Sequence, residues 1–273
     1  MKRSVTRKRF GQHFLTDAGV INALVEAIAP RKSERIVEIG PGAGALTRPL
    51  ISRVDCLRVV EIDRDIVARL KREFPPEKLL IAEGDALRFD FGTFADGAKM
   101  RLVGNLPYNI STPLLFHLEK YADRVIDMHF MLQKEVVDRL AATPRTADYG
   151  RLSVMLQYRY VIDRLFDVPP ESFDPPPKVD SSVVRMIPRR PEDLKARDEL
   201  RFSRLVRAAF SQRRKMLRNT LKDEVGDADL ARVGISPSAR AEELSVDDYV
   251  RLANQGSGIR DQVSGIRNQE SDQ

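Results

Sequence analysis

The chain has 273 residues, of which 42% are hydrophobic and 32% are charged. This length suffices for one large domain or two, and the composition excludes a fibrous or wholly disordered protein. No apolar run approaches the roughly 20 residues that cross a bilayer, and no apolar signal core follows the basic start of the chain. The single cysteine, Cys56, excludes a disulfide scaffold and a zinc site built from several thiolates. We therefore expect a cytoplasmic protein that binds neither membrane nor metal.

Positive charge is concentrated in one segment of a chain whose net charge is +6. Residues 185–222 contain thirteen Lys and Arg residues against four Asp and Glu residues. Such a local excess of positive charge indicates a polyanionic partner, which could be RNA, DNA or anionic lipid.

The predicted elements begin with an amphipathic helix over 17–29, for which Asp17 is a suitable N-cap. Short apolar runs and helical stretches then alternate along the chain. Strands are predicted at 35–39, 57–63, 79–82 and 101–103, helices near 46–51, 66–70 and 112–121, a further apolar run at 125–132, and closing strands at 161–168 and 181–187. This alternation is typical of βαβ units and predicts an α/β fold with a parallel sheet.

The spacing of apolar residues becomes helical only from Pro188 onward. We therefore predict a first domain over 1–187, which includes the basic N-terminal arm, and a small helical domain over 188–254. Residues 255–273 are polar and repeat Ser-Gly-Ile-Arg, which predicts a disordered tail. We expect the basic arm to become ordered over a cofactor or RNA.

A glycine-rich loop, Gly40-Pro41-Gly42-Ala43-Gly44, follows the first predicted strand of the sheet. Its missing side chains allow backbone N–H groups to approach a nucleotide-like ligand. Glu61 ends the next strand, about 20 residues further on, where a carboxylate can accept hydrogen bonds from both ribose hydroxyls. Gly40, Gly42 and Ala45 also fit the dinucleotide fingerprint of a dehydrogenase. A third interpretation of the loop is a structural glycine turn that binds no ligand.

Two other acidic residues favour S-adenosylmethionine over a dinucleotide. Glu38 immediately precedes the loop, as in the first motif of methyltransferases, and Asp85 follows the third strand in Gly84-Asp85-Ala86. A carboxylate at the position of Asp85 could accept from the adenine amino group of a cofactor. Each signal is weak alone, and together they favour a methyltransferase.

The tetrapeptide Asn105-Leu106-Pro107-Tyr108 ends the fourth strand and resembles the motif of amino-group methyltransferases. The exocyclic amine of a base is a poor nucleophile because its lone pair is delocalised into the ring. The Asn105 oxygen and a Leu106–Pro107 carbonyl can accept from that amine and orient its lone pair toward a methyl donor. Pro107 stiffens the turn, and the Tyr108 ring offers a surface on which a flipped-out base can stack.

Taken together, these residues resemble the bacterial 16S ribosomal RNA adenine N6,N6-dimethyltransferases. The resemblance extends from Arg7 to about Ala253 and depends on separated segments in the same order. Those segments are residues 9–12, 37–42, 104–113, 128–135, 149–154, 175–183 and 212–215.

The resemblance implies a class I, Rossmann-like methyltransferase domain with a seven-stranded, mostly parallel sheet, followed by a small all-α domain that binds RNA. It implies S-adenosylmethionine as the cofactor. It also implies dimethylation of two adjacent adenosines in a hairpin loop near the 3′ end of 16S rRNA, within the assembling 30S subunit. Nothing in the sequence requires a dimer, so we expect a monomer.

The resemblance also assigns roles to individual residues. Cofactor contacts fall on His13, Leu15, Gly40, Gly42, Glu61, Asp85 and Asn105. His13 replaces the asparagine that is usual in the family. A backbone contact there would survive the change, whereas a side-chain contact would alter. Phe173 lies where relatives place a second aromatic ring against the target base.

A basic helical face provides a separate reason to expect RNA binding. At about 100° per residue, Val206, Phe210, Leu217 and Leu221 form one apolar stripe. A neighbouring face without acidic residues is formed by Arg204, Arg207, Arg214, Lys215, Arg218 and Lys222. Side chains of this kind contact phosphates without selecting a sequence. Arg213 falls on the apolar side of this wheel, and the sequence does not explain it.

Three alternatives stay open. A 23S rRNA adenine methyltransferase of the antibiotic-resistance type shares the Asn105–Tyr108 motif, although the segment 175–180 and the Gln-Arg-Arg-Lys segment 212–215 argue against it. A ribosome assembly factor could keep the fold without the chemistry, and a dehydrogenase fits the glycine loop alone. His117 and His129 lie in apolar contexts and are interpreted as core residues.

Overall fold

The computed structural model describes residues 13–255, so the predicted basic arm and the predicted tail from residue 256 onward lie outside the described residues. The described chain forms two units. The first contains residues 13–138 and 160–188, and the second contains residues 139–159 and 189–255. The predicted contiguous first domain is therefore wrong for 139–159, because this segment contributes Tyr149, Val154 and Tyr158 to the hydrophobic core of the second unit.

A seven-stranded sheet organises the first unit and confirms the predicted α/β fold. The described residues contain nine strands, of which β2 to β7 and β9 form this sheet: β1 (Phe14–Leu15), β2 (Arg35–Ile39), β3 (Leu57–Glu61), β4 (Leu79–Glu83), β5 (Met100–Asn105), β6 (Val125–Gln133), β7 (Tyr160–Val168), β8 (Phe173–Asp174) and β9 (Ser181–Pro188). The sheet has the order β4-β3-β2-β5-β6-β9-β7, and β1 pairs separately with β8. In the large sheet β9 alone runs opposite to the other six strands, so the sheet is mostly parallel, as predicted.

The order of the strands reverses between β2 and β5. The chain adds β3 and β4 on one side of β2 and then places β5 on the other. A crevice opens at such a switch point, beyond the carboxyl ends of the strands, and ligands of open α/β sheets bind there. Gly40 directly follows β2, and Asn105 ends β5. The two sequence motifs thus meet at one edge of the sheet. A Cβ atom on Gly104 would lie 2.5 Å from the Ile39 carbonyl oxygen, so glycine permits this close approach.

Short helices connect the strands of the first unit. They are α1 (Ala18–Ile28), α2 (Thr47–Ile51), α3 (Arg64–Glu73), α4 (Gly92–Ala95) and α5 (Ser111–Leu118), while α6 (Lys134–Ala141) continues across the boundary between the units. The predicted cap of the first helix is confirmed, because the Asp17 carboxylate accepts from the Gly19 and Val20 N–H groups at 2.8 and 3.0 Å. Leu24, Leu50 and Leu70 of these helices are fully buried in one core with the strands.

Helices form the second unit in the described chain. They are α7 (Arg151–Arg159), α8 (Glu199–Ala209), α9 (Leu217–Thr220), α10 (Asp227–Arg232) and α11 (Val246–Gln255). Their apolar faces meet around Phe202, Leu205 and Tyr249, all buried. The Tyr249 hydroxyl donates to the Ala241 carbonyl at 2.8 Å, so the polar atom of this buried side chain is hydrogen-bonded.

The predicted continuous helix through 204–222 is wrong. Helix α8 ends at Ala209, and α9 begins only at Leu217. The backbone between them turns away because the N–H groups of Leu217 and Arg218 donate to Ala239 and Pro237 at 2.8 and 3.1 Å, not to the preceding turn. The basic face drawn on one helical wheel is therefore spread over two helices and the turn that joins them.

Candidate active site

A pocket lies at the carboxyl ends of β2, β3 and β5, where the strand order reverses. Its wall contains the residues predicted to bind a cofactor: His13, Leu15, Gly40, Gly42, Glu61, Asp85 and Asn105. Leu106, Pro107 and Tyr108 line it as well. One pocket thus brings together segments that are far apart in the sequence.

The glycine loop takes backbone conformations that other residues rarely adopt. Gly40, Gly42 and Gly44 have φ angles of +67°, +51° and +83°. At Gly42 a Cβ atom would also lie 3.2 Å from the Phe14 ring, so a side chain there would press against the aromatic wall of the pocket. The loop needs glycine for both its shape and its open space.

Glu61 is only 3% exposed and lies between the glycine loop and the start of α3. Its Oε1 atom accepts from the Ile62 and Asp63 N–H groups, each at 2.9 Å, while Oε2 accepts from the Gly42 N–H at 3.3 Å. Burial raises the pKa of Glu61, and these three backbone donors oppose the rise. Oε2 makes the longest of the three bonds and retains a lone pair for a hydroxyl group in the pocket.

Glu38 is a second buried acid in the pocket wall. The Thr47 hydroxyl donates to its Oε2 atom at 2.7 Å. Burial raises the pKa of Glu38 to about 7; the Thr47 hydrogen bond opposes this rise, and the nearby charge of Glu61 adds to it. Two neighbouring buried carboxylates make this side of the pocket favourable for a positively charged ligand group.

Asp85 lies in the turn after β4. Its Oδ1 atom accepts from the Leu87 N–H at 2.9 Å, and this bond fixes the carboxylate in the pocket wall. A fixed carboxylate with a second oxygen can accept from an amino group such as that of adenine. Ile62 is 47% exposed beside it in the same wall and offers an apolar surface for a flat ring.

The orientation of Asn105 is set by the segment before β1. Its amide nitrogen donates to the His13 carbonyl at 3.1 Å. Because the nitrogen is used in this way, the Oδ1 atom is the part of the amide that can accept from a substrate amine. The next residue, Leu106, donates its N–H to the Met131 carbonyl at 3.1 Å, which ties the turn to β6.

Tyr108 is held at two points. Its hydroxyl forms a 2.7 Å hydrogen bond with the Ser181 hydroxyl, and its ring stacks on the His13 imidazole with centroids 5.8 Å apart. The His13 Nδ1 atom donates to the Pro175 carbonyl at 2.7 Å, because a carbonyl oxygen can only accept. Burial raises the pKa of Tyr108, so the phenol stays neutral over the physiological range.

Phe173, to which the resemblance assigns a second aromatic ring against the target base, is buried beside the pocket-lining strand β1. Its side chain is 3% exposed and packs in the hydrophobic core of the first unit. The pairing of β8 with β1 sets Phe173 opposite Leu15, and of these two Leu15 lines the pocket while Phe173 does not. The contact of Phe173 with a target base stays a prediction.

The six predicted RNA-binding side chains are exposed, although they share no single helix. Arg204 and Arg207 lie on α8, Arg214 and Lys215 in the following turn, Arg218 on α9, and Lys222 just beyond it. The structure also explains Arg213. Its guanidinium forms a 3.1 Å ion pair with Glu242 and donates to the Ala147 carbonyl, so it joins parts of the second unit.

Sequence reasoning missed several residues of the pocket. Ser181 follows a proline-rich loop far from Tyr108 in the chain, and no spacing signals that their hydroxyl groups meet. The His13 imidazole was considered only as a cofactor contact, although it stacks on Tyr108. Phe14, which also lines the pocket, was signalled only weakly, as an aromatic residue close to the basic N-terminal segment.

Within residues 13–255, no group of three His, Cys, Asp or Glu side chains is arranged to hold a metal ion. None of the helices in this part of the chain is long and apolar enough to span a membrane.

The residues of the pocket fit S-adenosylmethionine. The loop supplies glycine backbone where a side chain would obstruct a ligand, Glu61 can accept from ribose hydroxyls, and Asp85 can accept from an adenine amino group. The buried acids Glu38 and Glu61 suit the positive charge of a sulfonium and an ammonium group. Asn105 and Tyr108 line the same pocket, so a methyl group on a bound cofactor would be delivered within reach of them.

The fold and this pocket define the chain as a Rossmann-like, S-adenosylmethionine-dependent methyltransferase. A family model described as "Ribosomal RNA adenine dimethylase" matches residues 3–256. The chain belongs to this family and is an rRNA adenine dimethyltransferase.

Individual relatives agree with this assignment. A "Ribosomal RNA small subunit methyltransferase A" from Laribacter hongkongensis (strain HLHK9) is 62% identical over 254 residues, which cover 93% of this chain and 97% of the relative. A dimethyladenosine transferase from Plasmodium falciparum superposes with a TM-score of 0.75 at 25% identity, covering 88% of this chain and 96% of that one. The 23S rRNA methyltransferase ErmE superposes with a TM-score of 0.69, also at 25% identity, covering 89% of this chain and 98% of that one.

Proposed function

We propose that the chain transfers methyl groups from S-adenosylmethionine to N6 of two adjacent adenosines in the 3′-terminal hairpin loop of 16S rRNA. The observation that carries this proposal is Asn105, whose amide nitrogen is used by His13 so that its oxygen is available to a substrate amine. The name of the relative from Laribacter hongkongensis supports the small subunit as the source of the substrate.

The proposed methyl transfer requires the side chains only to orient the substrate base. The cofactor supplies an electrophilic methyl group on sulfur, and one methyl transfer forms a C–N bond to N6 while the C–S bond breaks. Asn105 Oδ1 accepts from the N6 amino group and orients its lone pair toward the methyl group. Tyr108 supports the flipped base by stacking. The methylated nitrogen is positively charged and loses a proton to water, which restores a neutral amine for the second transfer.

The cofactor itself is proposed to lie along the carboxyl ends of β2, β3 and β4. In this placement Glu61 would accept from the ribose hydroxyls, Asp85 would accept from the adenine amino group, and Ile62 would pack on the ring. The glycine loop borders the amino-acid portion. The contacts of Glu61 and Asp85 with backbone N–H groups support this placement, because they hold both carboxylates in position before a ligand binds.

The second unit is proposed to bind the RNA. Six exposed basic side chains on α8, α9 and the adjoining residues supply affinity for phosphates: Arg204, Arg207, Arg214, Lys215, Arg218 and Lys222. We infer that the partner is 16S rRNA within the assembling 30S subunit, that the chain works in the cytoplasm where ribosomes assemble, and that it acts as a monomer.

Labelled methyl transfer tests the proposed substrate. Unmethylated small subunits, naked 16S rRNA and 23S rRNA are each incubated with the protein and S-adenosylmethionine, and the nucleosides are then separated. We expect N6,N6-dimethyladenosine in the small subunit, at two adjacent positions. Label in 23S rRNA would favour the antibiotic-resistance type of enzyme, and cofactor binding without label in any RNA would indicate an assembly factor without chemistry. Asn105→Ala serves as the inactive control.

A further inference from the structure

Three consecutive carbonyl groups of the glycine loop are held by arginine side chains. The Arg69 guanidinium, on α3, donates to the Gly42 carbonyl at 2.5 Å. The Nη1 atom of Arg48, on α2, donates to the Ala43 and Gly44 carbonyls at 3.0 and 3.1 Å. Two helices thus restrain one side of a loop whose other side faces the pocket.

Arg48 is itself held by a carboxylate. Its Nε and Nη2 atoms donate to the two oxygens of Glu73, on α3, at 2.7 and 3.0 Å. This paired geometry is the specific arrangement that a planar guanidinium allows and an ammonium does not. Glu73 therefore fixes the direction in which Nη1 of Arg48 points.

Gly44 shows how close the guanidinium is to the loop. A Cβ atom at Gly44 would lie 3.2 Å from Nη1 and 3.4 Å from Cζ of Arg48. Gly44 also has a φ of +83°. The loop and Arg48 are thus packed together, and the arginine occupies the space that a side chain would need.

A loop with three glycines in the left-handed region loses much conformational freedom when it orders around a ligand. Donors that hold its carbonyl groups reduce that loss, because the loop is ordered before the ligand arrives. The Arg48–Glu73 pair lies outside the pocket wall, so it acts on the ligand only through the loop.

We propose that Arg48, oriented by Glu73, is a positioning residue that sets the affinity for S-adenosylmethionine by holding the carbonyls of Ala43 and Gly44. The inference rests on the proposed placement of the cofactor at the glycine loop. It assigns no chemical step to either residue. Its consequence is a change in cofactor affinity with little change in the rate at saturating cofactor.

Calorimetric binding of S-adenosylmethionine to the full chain tests the proposal. Arg48→Met is expected to raise Kd about five- to tenfold, as the loss of hydrogen bonds from a charged donor would predict, while kcat at saturating cofactor stays within about twofold. The matched control is Arg64→Met, which removes an exposed arginine of α3 that forms a 2.8 Å ion pair with Glu83 instead of contacting the loop. This control is expected to leave Kd unchanged.

A charge swap separates positioning from simple stabilisation. Arg48→Glu/Glu73→Arg restores an ion pair between α2 and α3 but puts a carboxylate, which cannot donate, beside the loop carbonyls. We expect Kd in the swapped protein to stay as weak as in Arg48→Met, with a thermal midpoint close to that of the parent. Recovery of the parent Kd in the swap would mean that the pair only joins the helices, and the proposal would be wrong.

Asp85→Asn distinguishes this inference from the placement of the cofactor. If Asp85→Asn weakens binding and Arg48→Met does not, the loop contacts of Arg48 do not set affinity and only the further inference fails. If neither variant weakens binding, the placement of the cofactor fails as well.

Discussion

Asn105 is the residue on which the proposed chemistry depends most directly. Its nitrogen donates to the His13 carbonyl, so its oxygen is the acceptor available to a substrate amine. Asn105→Ala removes this acceptor, and we expect the single-turnover rate at saturating cofactor to fall by about 100- to 1,000-fold, as when one donor of a preorganised polar site is removed. Asn22→Ala, at an exposed position of α1, is the control for the amide-to-methyl change. A drop below tenfold for Asn105→Ala would contradict the assigned role.

Tyr108 and Ser181 allow a test of positioning through non-additivity. Tyr108→Phe and Ser181→Ala each remove the same 2.7 Å hydrogen bond. We expect each to lower the methylation rate by about three- to tenfold, and the double variant to be no worse than either single one, because residues in direct contact do not act independently. Tyr108→Ala should cost far more, since it also removes the stacking surface. Effects of the single variants that multiply in the double variant would show that the bond does not couple the residues.

Glu38 makes the stability of the protein depend on pH. Burial raises its pKa from the ordinary value of 4.5 to about 7. Between these values the folded protein keeps a proton that the unfolded chain has released, so the contribution of Glu38 to stability falls as pH rises through this window. Glu38→Gln removes the cost of ionising a buried acid and should raise the free energy of unfolding at pH 8 by up to about 3 kcal/mol.

The gain from Glu38→Gln should be largely lost at pH 4.5, where Glu38 is protonated in the folded state and half-protonated in the unfolded chain. Urea unfolding at pH 4.5, 6 and 8 measures this trend, with Glu26→Gln, at an exposed position of α1, as the control. At pH 8, where Glu38 is ionised, the same substitution should also weaken S-adenosylmethionine binding, because it removes a negative charge from the pocket wall. A gain that does not change with pH would exclude Glu38 as its source.

At the scale of elements, β5 and β6 are joined by a buried ionic network. The Arg101 guanidinium pairs with both oxygens of Asp127 at 2.8 Å, with Glu34 at 2.8 Å, and with the Ile28 carbonyl at the end of α1. Removing one member of a buried pair leaves a charge without compensation. Arg101→Met should therefore destabilise the first unit by about 3–5 kcal/mol in urea unfolding, whereas Arg64→Met, in an exposed pair, should change it by less than about 1 kcal/mol.

The elements also show what local sequence can and cannot predict. The strands of the large sheet were predicted to within a few residues because short apolar runs bounded by glycine, proline or charge carry a local signal, whereas the two-residue strands β1 and β8 were not predicted. The helix over 204–222 was predicted wrongly because backbone hydrogen bonds to Pro237 and Ala239 interrupt it. The spacing of apolar residues within 204–222 carries no information about these distant partners. The pairing of Phe173 with Leu15 could not be predicted from local sequence either, since it is a long-range contact.

For the whole molecule, the order of elements was sufficient to predict an α/β fold, and the resemblance added its seven strands. The discontinuous second unit could not be predicted from that order. Residues 139–159 follow the strands of the first unit in the sequence but pack with Phe202 and Tyr249. The sequence motifs located most of the pocket, because they follow the carboxyl ends of strands. They did not locate the partners of Tyr108, which depend on how distant segments meet.

The dispersed basic residues of the second unit lead to a prediction about salt. Each side chain that neutralises one phosphate increases the magnitude of the negative slope of log K against log salt by about 0.7 to 0.9. Arg204→Gln/Arg207→Gln/Arg218→Gln should therefore reduce the slope for binding to small subunits by about 2 to 3, and leave the Kd for S-adenosylmethionine unchanged. The control replaces Arg31, Lys32 and Lys71, which are exposed cations of the first unit, with glutamine. An equal reduction in both triple variants would mean that affinity follows net charge, with no RNA-binding surface localised to the second unit.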